Sequence, residues 1–170
     1  PLAAKKVDPI ELLANIRKRF YPEGKSLGQK QIAVLNQSSD PAFSKFRENL
    51  RWTMGGVMFV TVHTVGENDN FGRTPEMDAE YLERKAANIA WLKQAFAEAK
   101  KSNALGLVIL TQANPGFETT WPDSAKTRYF LRFIPRGQPV PSRPIAFGDY
   151  LQTLSEELET YDRPVAYLHG

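Results

Sequence analysis

The feature that most constrains this chain is a run of β-branched, aromatic and other apolar residues, 57–65, that stops at a glycine-bounded polar loop, Gly66-Glu67-Asn68-Asp69-Asn70-Phe71-Gly72. A long helical pattern opens after the loop at Thr74-Pro75 and runs to about Lys101. It carries Leu82, Ala86, Ile89, Leu92, Phe96 and Ala99 along one face. The compact apolar run 107–110 then reads as a second strand, with Gln112-Ala113-Asn114-Pro115-Gly116 as its exit loop. Strand, long helix and strand in that order form a βαβ unit, in which the helix carries the chain back so that the strands lie parallel. An amphipathic helix over 147–158, with Leu151, Leu154 and Leu158 on one side, and a strand over 165–168 continue the alternation. The expected fold class is therefore α/β, with a mixed or mostly parallel sheet flanked by helices. Both faces of the 57–65 run are apolar, so that strand is expected to be covered by helices on each side.

In open sheets of this kind, ligands settle outside the carboxyl ends of the strands. Three segments should converge there: residues 66–70, residues 112–116, and His169-Gly170. That convergence is the main physical argument for a site.

The remaining chain is less regular. Asp8-Pro9-Ile10-Glu11 supplies an N-cap, a proline at the first helical position and a capping-box spacing. Leu13, Ile16 and Phe20 form the stripe of the helix it opens, and Tyr21-Pro22-Glu23-Gly24 ends it. A short strand is expected at 32–35, a turn-rich stretch at 36–41 and a helical piece around 43–50. Residues 125–134 have helical character, and the proline-rich stretch 135–144 reads as irregular. The 170 residues suit one domain. Pro1 stands where an initiator Met would, and an apolar strand pattern runs to His169 with only Gly170 beyond it. Both ends read as cuts, making the chain a carboxyl-terminal portion of a larger domain.

Composition removes several classes of chemistry. The chain has no cysteine, which excludes disulfides, thiol catalysis and Cys-based metal sites. Its 22 basic and 19 acidic residues are interspersed along the sequence, so no nucleic-acid footprint is expected. No apolar run approaches the ~20 residues of a membrane span, and no membrane partner is expected. Cytoplasm and periplasm both remain open as compartments. Two histidines, His63 and His169, cannot form a His-rich metal cage from this chain alone. Phosphate-loop, dinucleotide, nucleophile-elbow and His-Glu-x-x-His motifs are missing from the sequence.

Each polar candidate has a plainer reading beside its functional one. His63 shares a pleat face with Phe59, Thr61 and Val65, and reads first as a hydrogen-bonded core histidine. His169, at a strand terminus, suits a ligand or acid–base role better. Asn68, Asp69 and Asn70 carry oxygens for a hard cation, but Asn and Asp near glycine are also what turns require. Asn114-Pro115-Gly116 is likewise a turn first. Glu76, Glu80 and Glu83 read as solvated helix-face charges. Trp91 should pack in the long helix, Trp52 leads into the strand run through Gly55-Gly56, and Trp121 lies in an uncertain loop.

The order of segments resembles a bacterial branch of the calcineurin-like metallophosphoesterases. The resemblance rests on Asp8-Pro9 with its helix, Ser26-Leu27-Gly28, Glu48-Asn49-Leu50-Arg51-Trp52, and residues 56–70 with the Gly-Glu-Asn-Asp-Asn loop. It continues through Ala90-Trp91-Leu92, residues 108–115, Arg163-Pro164-Val165 and His169-Gly170. It implies a β-sandwich with helices outside and two divalent metals on loops at strand ends, clamping a phosphate ester and generating a hydroxide. The family's early motifs, Asp-x-His and Gly-Asp, precede the matched region, and its late Gly-x-x-His motif would begin at Gly170. Gln112 stands where the family has a histidine, and as a neutral, weaker ligand it puts metal occupancy in question.

On this likeness the intact parent is a metal-dependent phosphoesterase-like hydrolase, and the chain alone holds no metal. His169 would be its catalytic group, Asn68, Asn70 and Asn114 its substrate contacts, and Gln112 its one metal-side residue. The alternative is a non-catalytic binding module that kept the sheet. A chain lacking its amino-terminal sheet partner should also self-associate to cover its apolar faces and strand edges.

Overall fold

A computed structural model describes residues 8–117 and 145–170. Five strands form one open mixed sheet in the order β1 (Leu35–Asn36), β2 (Leu50–Met54), β3 (Val57–Thr61), β4 (Gly106–Thr111), β5 (Val165–His169). β1–β2 and β2–β3 are antiparallel, whereas β3–β4 and β4–β5 are parallel. Among the described residues the α-helices are α1 (Pro9–Phe20), a four-residue turn α2 (Gly66–Asp69), α3 (Pro75–Lys101) and α4 (Gly148–Glu159). The α/β class and the mixed sheet expected from the sequence are both present.

The helical piece expected around 43–50 is absent: a 3-10 turn at Pro41–Phe43 gives way to irregular backbone, and Leu50 already begins β2. Gly55 and Gly56 take positive φ angles of 58° and 78°, the left-handed pair that a two-residue hairpin requires, and they turn β2 directly into β3. At Gly56 it is the positive φ that disfavours a side chain, since a Cβ 2.9 Å from Leu105 Cδ1 would meet only the end of an exposed leucine that can move aside. The short strand expected at 32–35 is shifted to Leu35–Asn36, preceded by an isolated bridge between Lys25 and Ala33.

Helix α1 starts as expected, with the Asp8 carboxylate accepting the Ile10 N–H at 2.9 Å. Its apolar stripe does not reach the core. No residue of α1 is buried, and Ile16 and Phe20 are exposed. Helix α3 is capped by the Thr74 hydroxyl and buries Tyr81, Arg84, Ala87, Asn88, Trp91, Leu92, Ala95, Phe96 and Ala99. The inward face of its first half is thus turned away from Leu82 and Ala86, which are exposed, because the polar Arg84 and Asn88 face inward.

The two parallel steps, β3 to β4 and β4 to β5, march the same way across the sheet. Right-handed crossovers marching in one direction place their helices on one face. Accordingly Met58, Val60, Val62, Leu107, Ile109 and Tyr167 share a single core with Trp91, Leu92, Phe96, Phe147, Leu151 and Leu154. Each large side chain buried there contributes roughly 1.5–3 kcal/mol.

The opposite sheet face is different. Trp52 and Phe59, stacked at 5.3 Å, are only half-buried, as are Val57, Val108 and Leu110, and Leu168 is exposed. Among the described residues, the helices that share the core with β3, α3 and α4, lie on one face of it. The expected helical stretch 125–134, the irregular stretch 135–144 and Trp121 lie outside the described residues.

Candidate functional site

The parallel strands β3, β4 and β5 end on one edge of the sheet, and the three segments singled out from the sequence meet there. Gln112, just past β4, ties them together. Its side-chain Oε1 accepts the Gly66 N–H at 3.1 Å, and its backbone carbonyl accepts the Gly170 N–H at 3.1 Å. A Cβ at Gly170 would sit 3.0 Å from the Gln112 carbonyl oxygen, so any other residue there would push the two segments apart by a few tenths of an ångström.

The asparagines of this rim are largely occupied by their own loops. Asn68 Nδ2 donates to the Phe71 carbonyl at 3.0 Å, and its Oδ1 accepts the Ala146 N–H at 3.1 Å. Asn114 Oδ1 accepts the Gly116 N–H at 2.9 Å, an Asx turn. Asn70 ends the α2 turn in a left-handed conformation, half-buried, and its side-chain amide bonds no described residue. Asn68, Asp69 and Asn70 all have φ between 54° and 64°. Three successive non-glycine residues in that region are tolerable here because Asn and Asp visit it at the smallest cost. His169 is exposed at the end of β5, with the Tyr167 and Phe117 rings each 6.3 Å away.

Asp69 does not serve as a free oxygen ligand. It is buried, its Oδ1 accepts the Val65 N–H at 2.8 Å, and it pairs with Arg84. The Arg84 side chain is 1% exposed and also bonds both Glu80 oxygens, at 2.9 and 3.0 Å. Burial disfavours its cation, but the hydrogen bond to Glu80 and the Asp69 charge outweigh that and raise its pKa. Glu80 is thus half of an ion pair and not a solvated surface charge.

The sequence reading passed over a second cluster at the same edge. Two residues past β3, His63 Nδ1 lies 2.7 Å from Glu48 Oε1, and Arg17 of α1 grips the same carboxylate through Nε and Nη2. Burial alone would raise the Glu48 carboxyl, but the His63 and Arg17 hydrogen bonds and charges overcome it and hold the pKa at about 2. The backbone here is clamped from both sides. The His63 N–H donates to Asn49 Oδ1 at 2.8 Å and its carbonyl accepts from Asn88 Nδ2 at 2.7 Å. Asn49 Nδ2 in turn donates to Gln37 and to Asn88, and Gln37 Nε2 donates to the Ala87 carbonyl. The core-histidine reading of His63 is right about the hydrogen bond, but the side chain keeps 18% exposure. A polar run, Glu48-Asn49, directly before an apolar strand was the available signal.

The donor set bears on the metals implied by the resemblance. Among the described residues no three of His, Asp, Glu or Cys are grouped to hold a metal ion. Gln112 Oε1 already accepts the Gly66 N–H, and the Asp69 carboxylate is taken by Arg84. These residues alone do not fit a two-metal centre.

The chain is an α/β protein with a five-stranded mixed open sheet, polar loops and both histidines at its parallel-strand rim. Comparisons with protein-family models, with curated proteins and with solved structures give no match. No helix among the described residues is long and apolar enough to cross a membrane.

Proposed function

We propose that this chain belongs to a phosphoesterase-like hydrolase whose substrate lies along the rim formed by the ends of β3, β4 and β5. The observation that carries the reading is the double attachment of Gln112 to Gly66 and Gly170, which gathers three polar segments at the edge where α/β sheets bind ligands. Asn70, with a free amide, and the exposed His169 are the side chains best placed to meet a phosphate ester, while Asn68 and Asn114 shape the loops around it. The half-buried face of Trp52, Phe59, Val108 and Leu110 supports the finer expectation of a sandwich, as the apolar inner surface that a second sheet would cover. Divalent metals, if the parent uses them, would take most of their ligands from sequence outside residues 1–170.

Two measurements test this. The isolated chain should retain no stoichiometric divalent metal by elemental analysis and should not turn over bis-p-nitrophenyl phosphate, whereas the intact parent should hydrolyse it. Robust turnover by the chain alone, or an inert parent, contradicts the reading.

One observation favours a non-catalytic binding module: Gln112, at the position of a family histidine, uses its Oε1 to brace the loop. Intact Asp-x-His and Gly-Asp motifs upstream of Pro1 would support the hydrolase, and their loss would support the module.

A further inference from the structure

We propose that His63, aimed by Glu48, is a proton-transfer group of the rim, with Nε2 as the working atom. The inference deepens the hydrolase reading, but its test does not depend on phosphate chemistry. Glu48 is ionised across the neutral range and only accepts hydrogen bonds, so the 2.7 Å contact places the imidazole proton on Nδ1. That leaves the Nε2 lone pair as a base. Nε2 makes no hydrogen bond to a described residue and is not among the buried unpartnered atoms, so it meets solvent. A base oriented through its far nitrogen by a carboxylate is the arrangement that general-base catalysis requires.

The support behind the pair exceeds what packing a histidine needs. Glu48 is itself fixed by Arg17, whose guanidinium lies 5.1 Å from the Phe46 ring centre. The His63 backbone is held on both sides by Asn49 and Asn88, and Arg84 Nη1 donates to its carbonyl at 3.4 Å. Glu48 is thus the positioning residue and His63 the group that meets the reactant. In ester hydrolysis, Nε2 takes a proton from water as the water oxygen bonds to the acyl or phosphoryl centre. The ester bond to the leaving oxygen breaks, and the imidazolium returns the proton to that oxygen or to solvent.

The test uses the full chain and p-nitrophenyl acetate at mildly alkaline pH. His63→Gln should lower the rate of p-nitrophenolate release by about tenfold or more. Glu48→Ala should lower it as well and move the neutral imidazole proton from Nδ1 to Nε2 in ¹⁵N spectra. Glu48→Gln, which keeps an acceptor oxygen, should preserve the Nδ1–H form. A folded His63→Gln protein with the wild-type rate overturns the proposal, as does a wild-type His63 whose neutral form carries its proton on Nε2. Should His63→Gln fail to fold, the Glu48→Ala rate and tautomer decide in its place. An intact parent inert towards phosphate esters removes the phosphoesterase reading without altering either readout.

Discussion

Gln112 Oε1 accepts the Gly66 N–H across 46 residues of sequence, at 3.1 Å, joining the loop after β3 to the end of β4. The bond is exposed, so it orients the rim more than it stabilises the fold. Gln112→Ala should cost no more than about 1 kcal/mol in urea unfolding. The Gly66 amide should nonetheless exchange with solvent about tenfold faster by hydrogen-exchange NMR, corresponding to the loss of roughly 1.4 kcal/mol of local protection. An unchanged Gly66 amide would mean that the loop is held by something else.

Among the described residues, Arg84 is the charge with the most side-chain hydrogen bonds. Replacing it with Met leaves Asp69 and Glu80 facing a buried site with no cation, and should cost about 3–5 kcal/mol in chemical denaturation. Adding Asp69→Asn to Arg84→Met should recover part of that loss, since the stranded carboxylate is then gone. A double variant as unstable as the sum of the two single changes would contradict the pairing.

Glu48 makes stability depend on acid. Its folded pKa of about 2 lies below the ordinary value of 4.5, so the folded state favours the carboxylate. The resulting stability is fully present above about pH 4.5 and is lost as pH falls towards about 2, amounting to about 3 kcal/mol. Unfolding free energies measured from pH 6 down to pH 2 should fall through this window in the wild type, and Glu48→Gln should flatten that part of the curve. A variant with the same acid slope would place the lost stability in other carboxylates.

The parallel half of the fold was legible because its signals are periodic. The apolar runs of β3, β4 and β5 and the helices α3 and α4 came from alternation and spacing, and strand direction then placed Gly66, Gln112 and His169 on one edge. The hairpin between β2 and β3 was missed although Gly55-Gly56 announces it, because residues 51–54 were read only as the lead into β3 and not as a strand of their own. The buried line of α3 was set one step wrong in its first half because hydrophobicity cannot reveal an inward Arg84 or Asn88; apart from Glu80, one turn before Arg84, their partners come from 15 to 39 residues away. The Glu48–His63 pair was hidden for the same reason. Its parts lie on separate segments, and Arg17 arrives from a helix none of whose residues is buried. Asn68 and Asn114 carry the turn chemistry that was weighed against a binding role, and both roles draw on the same residue types.

The claim on which the functional account rests is that ligands of phosphate-ester type meet this protein at the ends of β3, β4 and β5. Backbone amide shifts recorded while inorganic phosphate is added to the chain test it directly. The account predicts saturable shifts at Gly66, Asn70, Gln112 and His169, with the opposite edge at Gly55, Gly56 and Leu105 unmoved. Shifts confined to that opposite edge, or none at concentrations where phosphate esters bind such sites, would contradict it.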